Sequence, residues 1–480
     1  MSDPTSTNTI AGESPIPEAL PPSRKLNFLS LTGIIFFTVC GGAFGIEPLF
    51  GKLGAGWAIL LIVATPLLWS VPVTLMVSEF SAAIPVEGGY YVWVRRALGE
   101  FWGFQEGWWT CLYSSVDMAI YPVLFVNYLA YFVPYLRPDA DGALTWEQFF
   151  IRWGIAVAMI AGALCLNWTG AKTVGYNSVF FLLLILAPFA LLTYFGLSNE
   201  SAGFSASLTA IRTSFSGEMT GGLLAAGLAT VMWNYSGWDN VSTFAGEVNE
   251  AGKAYPRALF AALGLSILMY LIPTFALVGV STDPEIWNES AGFPVIAEQL
   301  GGIALGTLVA VAAIMSAWSL FNSQILYASR LPYAMSVDGW LPGFLSRVDS
   351  RTGVPANALL AACFMAALFS ALPFGKLVVV DILLYSAELL LEFIALMVMR
   401  KTEPGLERPF KVRGGWPVLV FITIAPMSFA LVVIWATFAD PETDMRHLVF
   451  VLAGLLSGVI LYLLRKKKAA AISEQRAWNI

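Results

Sequence analysis

Twelve long apolar stretches constrain this chain more than any other feature. They run approximately over 28–52, 56–83, 100–133, 149–168, 177–197, 220–245, 256–280, 301–328, 354–373, 377–400, 415–438 and 446–465. A helix that crosses a bilayer needs roughly 20 apolar residues. Lipid offers its backbone no hydrogen-bond partner, so the polar groups must be paired inside the helix. Charged residues make up only 12% of the 480 and hydrophobic ones 58%, whereas soluble domains are about 25% charged. A single soluble core would not grow this large without dividing. The expectation is an all-α membrane protein of about twelve transmembrane helices. Turn chemistry separates the stretches, at Pro85 with Gly88-Gly89, at Pro134 and Pro138, at Gly170, Pro284, Gly339, Pro342, Gly353, Pro404 and Pro441.

The basic residues orient the spans, because Lys and Arg collect in cytoplasmic loops. With the N-terminus inside, 20 of the 26 fall in inside segments. Only Lys52, Arg137, Arg152, Arg212, Lys376 and Arg446 fall outside. Both termini are then cytoplasmic, the number of spans is even, and the home of the chain is the cell membrane. Residues 1–25 are polar and rich in Pro, Ser and Thr, and read as a disordered cytoplasmic tail. The multi-pass domain follows over 26–465, and 466–480 reads as a cytoplasmic C-terminal tail.

Other classes drop out. The net charge of −6 and the confinement of Lys and Arg to connecting segments give no basic face for nucleic acid. Cys40, Cys111, Cys165 and Cys363 sit singly in apolar runs and read as packing thiols. One histidine, His447, cannot build a metal cluster. No cofactor or catalytic set is expected, and the chain does not read as an enzyme.

Acidic residues do enter the spans. Glu47, Glu79, Glu106, Asp117, Asp239, Glu388 and Glu392 lie inside apolar runs, and Glu247 sits at the edge of one. An ionised carboxylate at the bilayer centre costs on the order of 3 kcal/mol and normally faces a cavity with a partner. Basic residues occur only in the first or last few positions of a run, and none lies in its interior. Compensation then falls to protons, bound cations, hydrogen bonds or helix N-termini, which points to a cation or proton pathway. Glu79, Glu106 and Glu247 lie near span ends, where a structural or gating role suffices.

Two runs carry breaks. Cys40-Gly41-Gly42-Ala43-Phe44-Gly45 puts three glycines in the first, at about 1 kcal/mol of helix propensity each. Asn234-Tyr235-Ser236-Gly237-Trp238-Asp239-Asn240 is polar in the middle of the sixth. Irregular backbone at membrane depth is tolerated only against a cavity or inside protein. Breaks in the first and sixth helices correspond if helices 1–5 and 6–10 are repeats, and such pairs mark the binding sites of carriers. A Gly41–Gly45 packing motif would explain the first alone.

Several stretches resemble the amino acid–polyamine–organocation transporter superfamily. They are Gly45-Ile46 after the glycine-rich break, Glu79 to Pro85 with Gly88-Gly89-Tyr90 and Trp93, Ala245-Gly246-Glu247-Val248 with Tyr255-Pro256-Arg257-Ala258-Leu259, and Arg330-Leu331-Pro332-Tyr333-Ala334-Met335 with Asp338-Gly339. A narrower resemblance is to plant-type polyamine uptake transporters and their microbial relatives. It rests on Gly45-Ile46-Glu47, Phe101 to Gly107, Asp117 with Tyr121 to Phe125, Trp238 to Thr243, Leu391 to Ala395 and Arg408 to Val412. The resemblance implies ten core helices in two inverted five-helix repeats, about 26–200 and 215–400, plus two more. It implies transport by alternating access, usually coupled to protons. One departure matters. In amino acid carriers, the freed amides of the first break receive the substrate carboxylate. Here Glu47 follows Gly45 by two residues and would repel it, which favours an amine.

A polyamine needs spaced carboxylates and aromatic walls. Glu47, Asp117 and Asp239 supply the charges. Phe44, Tyr121, Trp233, Tyr235 and Trp238 supply faces worth roughly 0.5–2 kcal/mol each as cation–π contacts. Gly41, Gly42, Gly45 and Asn234 offer backbone or amide groups. Asp117 and Glu388 are the expected proton carriers. Sodium held between helices 1 and 8 is the alternative, since Ser316, Ser319, Asn322 and Ser323 form a polar stripe on helix 8. The expected partners are therefore a small cationic substrate, protons or sodium, and membrane lipid. A general amino acid permease, working as symporter or exchanger, is the competing carrier, and a channel or a solute sensor the competing class. No repeated filter segment of the channel kind and no soluble output domain is visible.

Overall fold

A computed structural model describes residues 26–477 apart from 87, 140–142, 169–170, 201, 217–219, 244, 246–247, 289–291 and 440–445. The expected N-terminal tail, Glu247, Gly170 and Pro441 lie outside the described residues. Within them the chain is helical, with no β-strand and one isolated bridge joining Leu26 to Val248. In chain order the helices are α1 Phe28–Val39, α2 Glu47–Thr65, α3 Val71–Ala83, α4 Gly89–Leu98, α5 Glu100–Leu129, α6 Trp146–Asn167, α7 Ala171–Ser198 and α8 Gly203–Thr213. There follow α9 Gly221–Asn234, α10 Ala251–Val278, α11 Pro284–Asn288, α12 Gly292–Val337, α13 Ala356–Phe369, α14 Phe374–Thr402, α15 Gly415–Ala439 and α16 Arg446–Ala477.

Nine of the described helical segments are long and apolar enough to cross a membrane, and α1 and α13 are shorter apolar helices. The surface is that of a lipid-solvated protein. Leu183, Phe364, Leu431, Trp435 and Leu464 are each more than 60% exposed. Glu47, Asp117, Asp239, Glu388 and Glu392 are instead at most 2% exposed. A soluble fold has the opposite arrangement.

The element boundaries follow local chemistry. Gly54, at φ 74° and ψ 167°, splits the end of the first apolar run from the start of the second. Gly301 and Gly302 do the same in α12, separating its first nine residues from the long helix beyond. Pro66 opens one wide turn, residues Pro66–Ser70, where α2 bends into α3. The sequence analysis missed α4 and α8 because they are short and amphipathic. Helix α16 continues to Ala477, so residues 466–477 are helical.

Helix α5 is the central pillar, packed against α12, α14, α4, α13 and α16. Helix α1 packs against α10, α7 and α12. The two broken stretches, Cys40–Ile46 and Tyr235–Asp239, meet in the space these helices enclose.

Candidate functional site

The first break is a backbone path open to glycine. Gly41, Gly42 and Gly45 have φ of 60°, 110° and 85°, values L-residues avoid. Space is equally tight. A Cβ on Gly41 would lie 2.6 Å from the Leu320 side chain, and one on Gly45 2.9 Å from the Trp233 ring.

Breaking a helix orphans its terminal groups, and side chains from other helices take them up. Ser316 of α12 donates to the Gly41 carbonyl, and Gln324 Nε2 donates to Thr38 O at 3.0 Å. The Tyr270 hydroxyl of α10 reaches both breaks, lying 2.8 Å from Asn234 O and 3.4 Å from Cys40 O. In the second break Trp238 Nε1 donates to Tyr235 O at 2.7 Å. The Gly237 N–H donates to the Tyr385 hydroxyl at 3.1 Å.

Glu47 caps the first break. Its carboxylate accepts the Gly45 N–H at 2.7 Å and the Tyr128 hydroxyl at 2.6 Å. The same amide also lies 3.1 Å from the Tyr128 oxygen. Phe44 closes one side of this pair, its ring centroid 5.3 Å from Tyr128 and 4.8 Å from Phe189. The amide at which a substrate carboxylate would dock is thus held by an acid of the chain itself.

Asp117 stands on α5 beside the same break and accepts three hydrogen bonds. Tyr121 and Trp233 donate to Oδ1 at 2.9 and 3.3 Å, and Tyr327 donates to Oδ2 at 3.2 Å. Tyr121 in turn accepts from Gln324 at 2.6 Å. Trp233 ties the two acids together, covering Gly45 with its ring while its indole N–H serves Asp117. Asn234 Nδ2 lies 3.5 Å from Gly45 O and 2.9 Å from Thr230 O.

Asp239 ends the second break. Tyr385 of α14 donates to its Oδ1, while Oδ2 makes no hydrogen bond. Glu388 lies on the same face of α14, fully buried, with neither oxygen hydrogen-bonded. The fold therefore gathers the expected residues from both breaks, α5 and α14 into one buried region. Two expected aromatics turn away from it: the Tyr235 hydroxyl goes to Ile62 O at 3.3 Å, and Trp238 serves its own loop.

Glu79 differs from the other acids. It pairs with Arg400, and with Arg408 at 3.1 Å, and it accepts the Val412 N–H at 2.8 Å. The expectation that acids in spans lack basic partners fails here, because the tail of α14 folds back to supply two. Glu79 closes one end of the bundle. At the same end Arg95 pairs with Asp338, and Arg96 pairs with Glu403 at 2.7 Å.

On helix 8 of the sequence reading, now the long part of α12, Ser316 serves Gly41 and Asn322 accepts from Asn167 at 2.9 Å. Ser319 and Ser323 are buried and unpaired. Asp381 was overlooked in the sequence. It lies in the same apolar run as Glu388, seven residues before it, fully buried and unpaired. Seven residues is two helical turns, so that spacing was the available signal. Gln324 and the tyrosines at 113, 327 and 385 carried no signal, because their roles depend on which helices meet.

Comparison with known proteins adds the lineage. A family model described as amino acid permease matches residues 26–460. The chain is 32% identical to a probable polyamine transporter of Arabidopsis thaliana, over 94% of this chain and 90% of that one. It is 33% identical to polyamine transporter PUT1 of Oryza sativa subsp. japonica, over 86% and 74% of the two chains. The serine/threonine exchanger SteT of Bacillus subtilis is 27% identical, over 82% of this chain and 86% of its own. Taken with the buried, broken helices, these matches show that the chain belongs to the amino acid permease family, within the amino acid–polyamine–organocation superfamily, and is a membrane transporter rather than an enzyme.

Proposed function

We propose that the chain is a secondary active transporter that moves polyamines, or related cationic amines and amino acids, across the cell membrane by alternating access. Twelve spans, two inverted five-helix repeats over about 26–200 and 215–400, and two added helices are the architecture this reading takes. The N-terminal tail and the C-terminal end lie in the cytoplasm, with the Glu79, Arg95 and Arg96 ion pairs closing the cytoplasmic side.

One observation carries the reading. The Gly45 amide of the first break is capped by Glu47, and two further buried acids, Asp117 and Asp239, have hydroxyl and indole partners and, among the described residues, no ion pair. A buried carboxylate without a fixed cation is stabilised by hydrogen bonds together with a proton or a mobile cation. An ammonium group satisfies it, and Tyr121 and Trp233 provide aromatic faces beside it. An amino acid carboxylate would first have to displace Glu47 from the amide.

Coupling to protons fits the same chemistry. Asp117 and Glu388 exchange a proton for cargo charge as the site opens to one side and then the other. Sodium is the second reading, supported by the unpaired hydroxyls of Ser319 and Ser323 near the first break.

Uptake of radiolabelled putrescine or spermidine into proteoliposomes under an imposed pH gradient tests this. Saturable uptake that collapses with the gradient is expected. Uptake of neutral amino acids, indifferent to excess polyamine, would refute the cationic cargo and leave a general amino acid permease. Unitary current steps in a planar bilayer would make the protein a channel instead.

A further inference from the structure

Helices α5 and α14 meet along a polar seam that the site described above does not use up. Facing pairs run in antiparallel register: Asp117 with Asp381, Tyr113 with Tyr385 at 4.9 Å between ring centroids, Thr110 with Glu388, and Glu106 with Glu392. On each helix these residues follow at i, i+4, i+7 and i+11. That is the contact stripe of two packed helices, ordinarily apolar. Eleven residues at 1.5 Å rise make the seam about 16 Å long, roughly half the hydrocarbon thickness.

The seam holds five carboxyl groups, and Asp239 faces Glu106, Glu388 and Glu392 from its side. Glu106, Asp381, Glu388 and Glu392 are fully buried, with Glu388 facing the Thr110 hydroxyl and Glu106 facing Glu392. None of the hydrogen bonds or ion pairs described for the seam carboxyls comes from Lys or Arg. An independent side chain points into the same place. Tyr90 of α4 is 1% exposed, its hydroxyl has no partner, and it faces Glu388, Asp239, Glu392 and Glu106.

A proton relay needs one or two carboxyls at a time. Acids at three levels along a line, with a pair of tyrosine rings between the first two levels, suit a ligand that is itself a line of charges joined by methylenes. We propose that the α5–α14 seam is a recognition track for an extended triamine or tetramine, with one ammonium at the Asp117–Asp381 level and the farther ones at Glu388 with Asp239 and at Glu106 with Glu392. Tyr113 and Tyr385 line the methylene stretch between the first two levels, and the Tyr90 hydroxyl oxygen accepts from the farthest ammonium. The seam parts to admit the ligand. The proposal rests on the cationic cargo inferred above and adds selection for length, because a diamine fills only the upper part of the track.

Competition for uptake in proteoliposomes tests it, with putrescine, spermidine and spermine as probes against the wild type, Glu106→Gln and Glu392→Gln. Wild-type affinity should rise from diamine to tetramine. Each variant should lose about tenfold in tetramine affinity, the order expected for one charged contact, and much less for the diamine. An unchanged tetramine-to-diamine ratio in folded, inserted protein would overturn the track. So would equal loss for both amines, which would make the pair a coupling or gating element. Should both variants fail to insert, Tyr90→Phe removes only the unpaired hydroxyl. A fall in the same ratio would support the track, and no change would overturn it. A wild type that takes up none of the three amines refutes the cargo itself, before any variant is read.

Discussion

Replacing Asp117 by Asn separates the charge at this position from its shape. The carboxylate accepts from Tyr121 at 2.9 Å and Trp233 at 3.3 Å through one oxygen, and from Tyr327 at 3.2 Å through the other. An amide oxygen placed toward Tyr121 and Trp233 keeps both of those bonds. At the other position an NH2 replaces the oxygen, and the Tyr327 hydroxyl can turn to accept from it. The structural cost is therefore at most about one ordinary hydrogen bond, ~1 kcal/mol. The binding cost is larger. Removing one partner of a buried, hydrogen-bonded charge pair costs about 2–5 kcal/mol, and ~1.4 kcal/mol is tenfold in affinity. Polyamine affinity should fall by about thirtyfold or more, while the melting temperature moves only slightly. Competition in proteoliposomes measures the first and thermal unfolding in detergent the second. Affinity within about threefold of wild type would remove Asp117 from the site, because no smaller charge effect is compatible with its burial.

Further substitutions probe other parts of the molecule. Glu388→Gln should leave protein in the membrane and amine binding measurable, but abolish the response of uptake to an imposed pH gradient; an intact response would show that Glu388 carries no coupling proton. Glu79→Gln leaves Arg400 and Arg408 without their acid and should destabilise the fold by about 3–5 kcal/mol, read as a lower melting temperature and poor yield, with affinity unchanged in the protein that survives. Gly41→Ala puts a methyl at φ 60° against Leu320 and should lose ~1–3 kcal/mol by strain, with transport falling as the break is displaced; wild-type uptake and stability would mean that the break relaxes without cost.

Much of the fold was readable because lipid is a strict solvent. Apolar runs near 20 residues and glycines at the breaks have few alternative explanations. The boundaries were less readable. Helix α2 joins the end of one apolar run to the start of the next, and only the backbone at Gly54 shows where the chain turns. Helix α4 is amphipathic and gave no apolar run, although it carries Tyr90, Arg95 and Arg96. The acids were readable singly and not as a set. Glu79 and Glu106 look alike in the sequence, each near the end of a span. The fold gives Glu79 two arginines and sets Glu106 against Asp239, Glu392 and Tyr90. That difference is decided by where residues 400–412 return to the bundle, which no local pattern encodes.

Glu47 fixes local structure and, under the proposed function, bears on cargo as well. Gly45 must expose an amide because the chain leaves the helix there, and a buried amide requires an acceptor. In a carrier of amino acids the substrate supplies it. Here the acid two residues on supplies it permanently, together with the Tyr128 hydroxyl. A carboxylate has about four acceptor directions, and the Glu47 and Phe293 backbone N–H groups face it beside these two donors. An anionic group gains nothing there, since the donor is taken and the charge is of like sign. Under the proposed function, the cap that stabilises the break would also select against carboxylate cargo, so the same local contact would serve both folding and specificity.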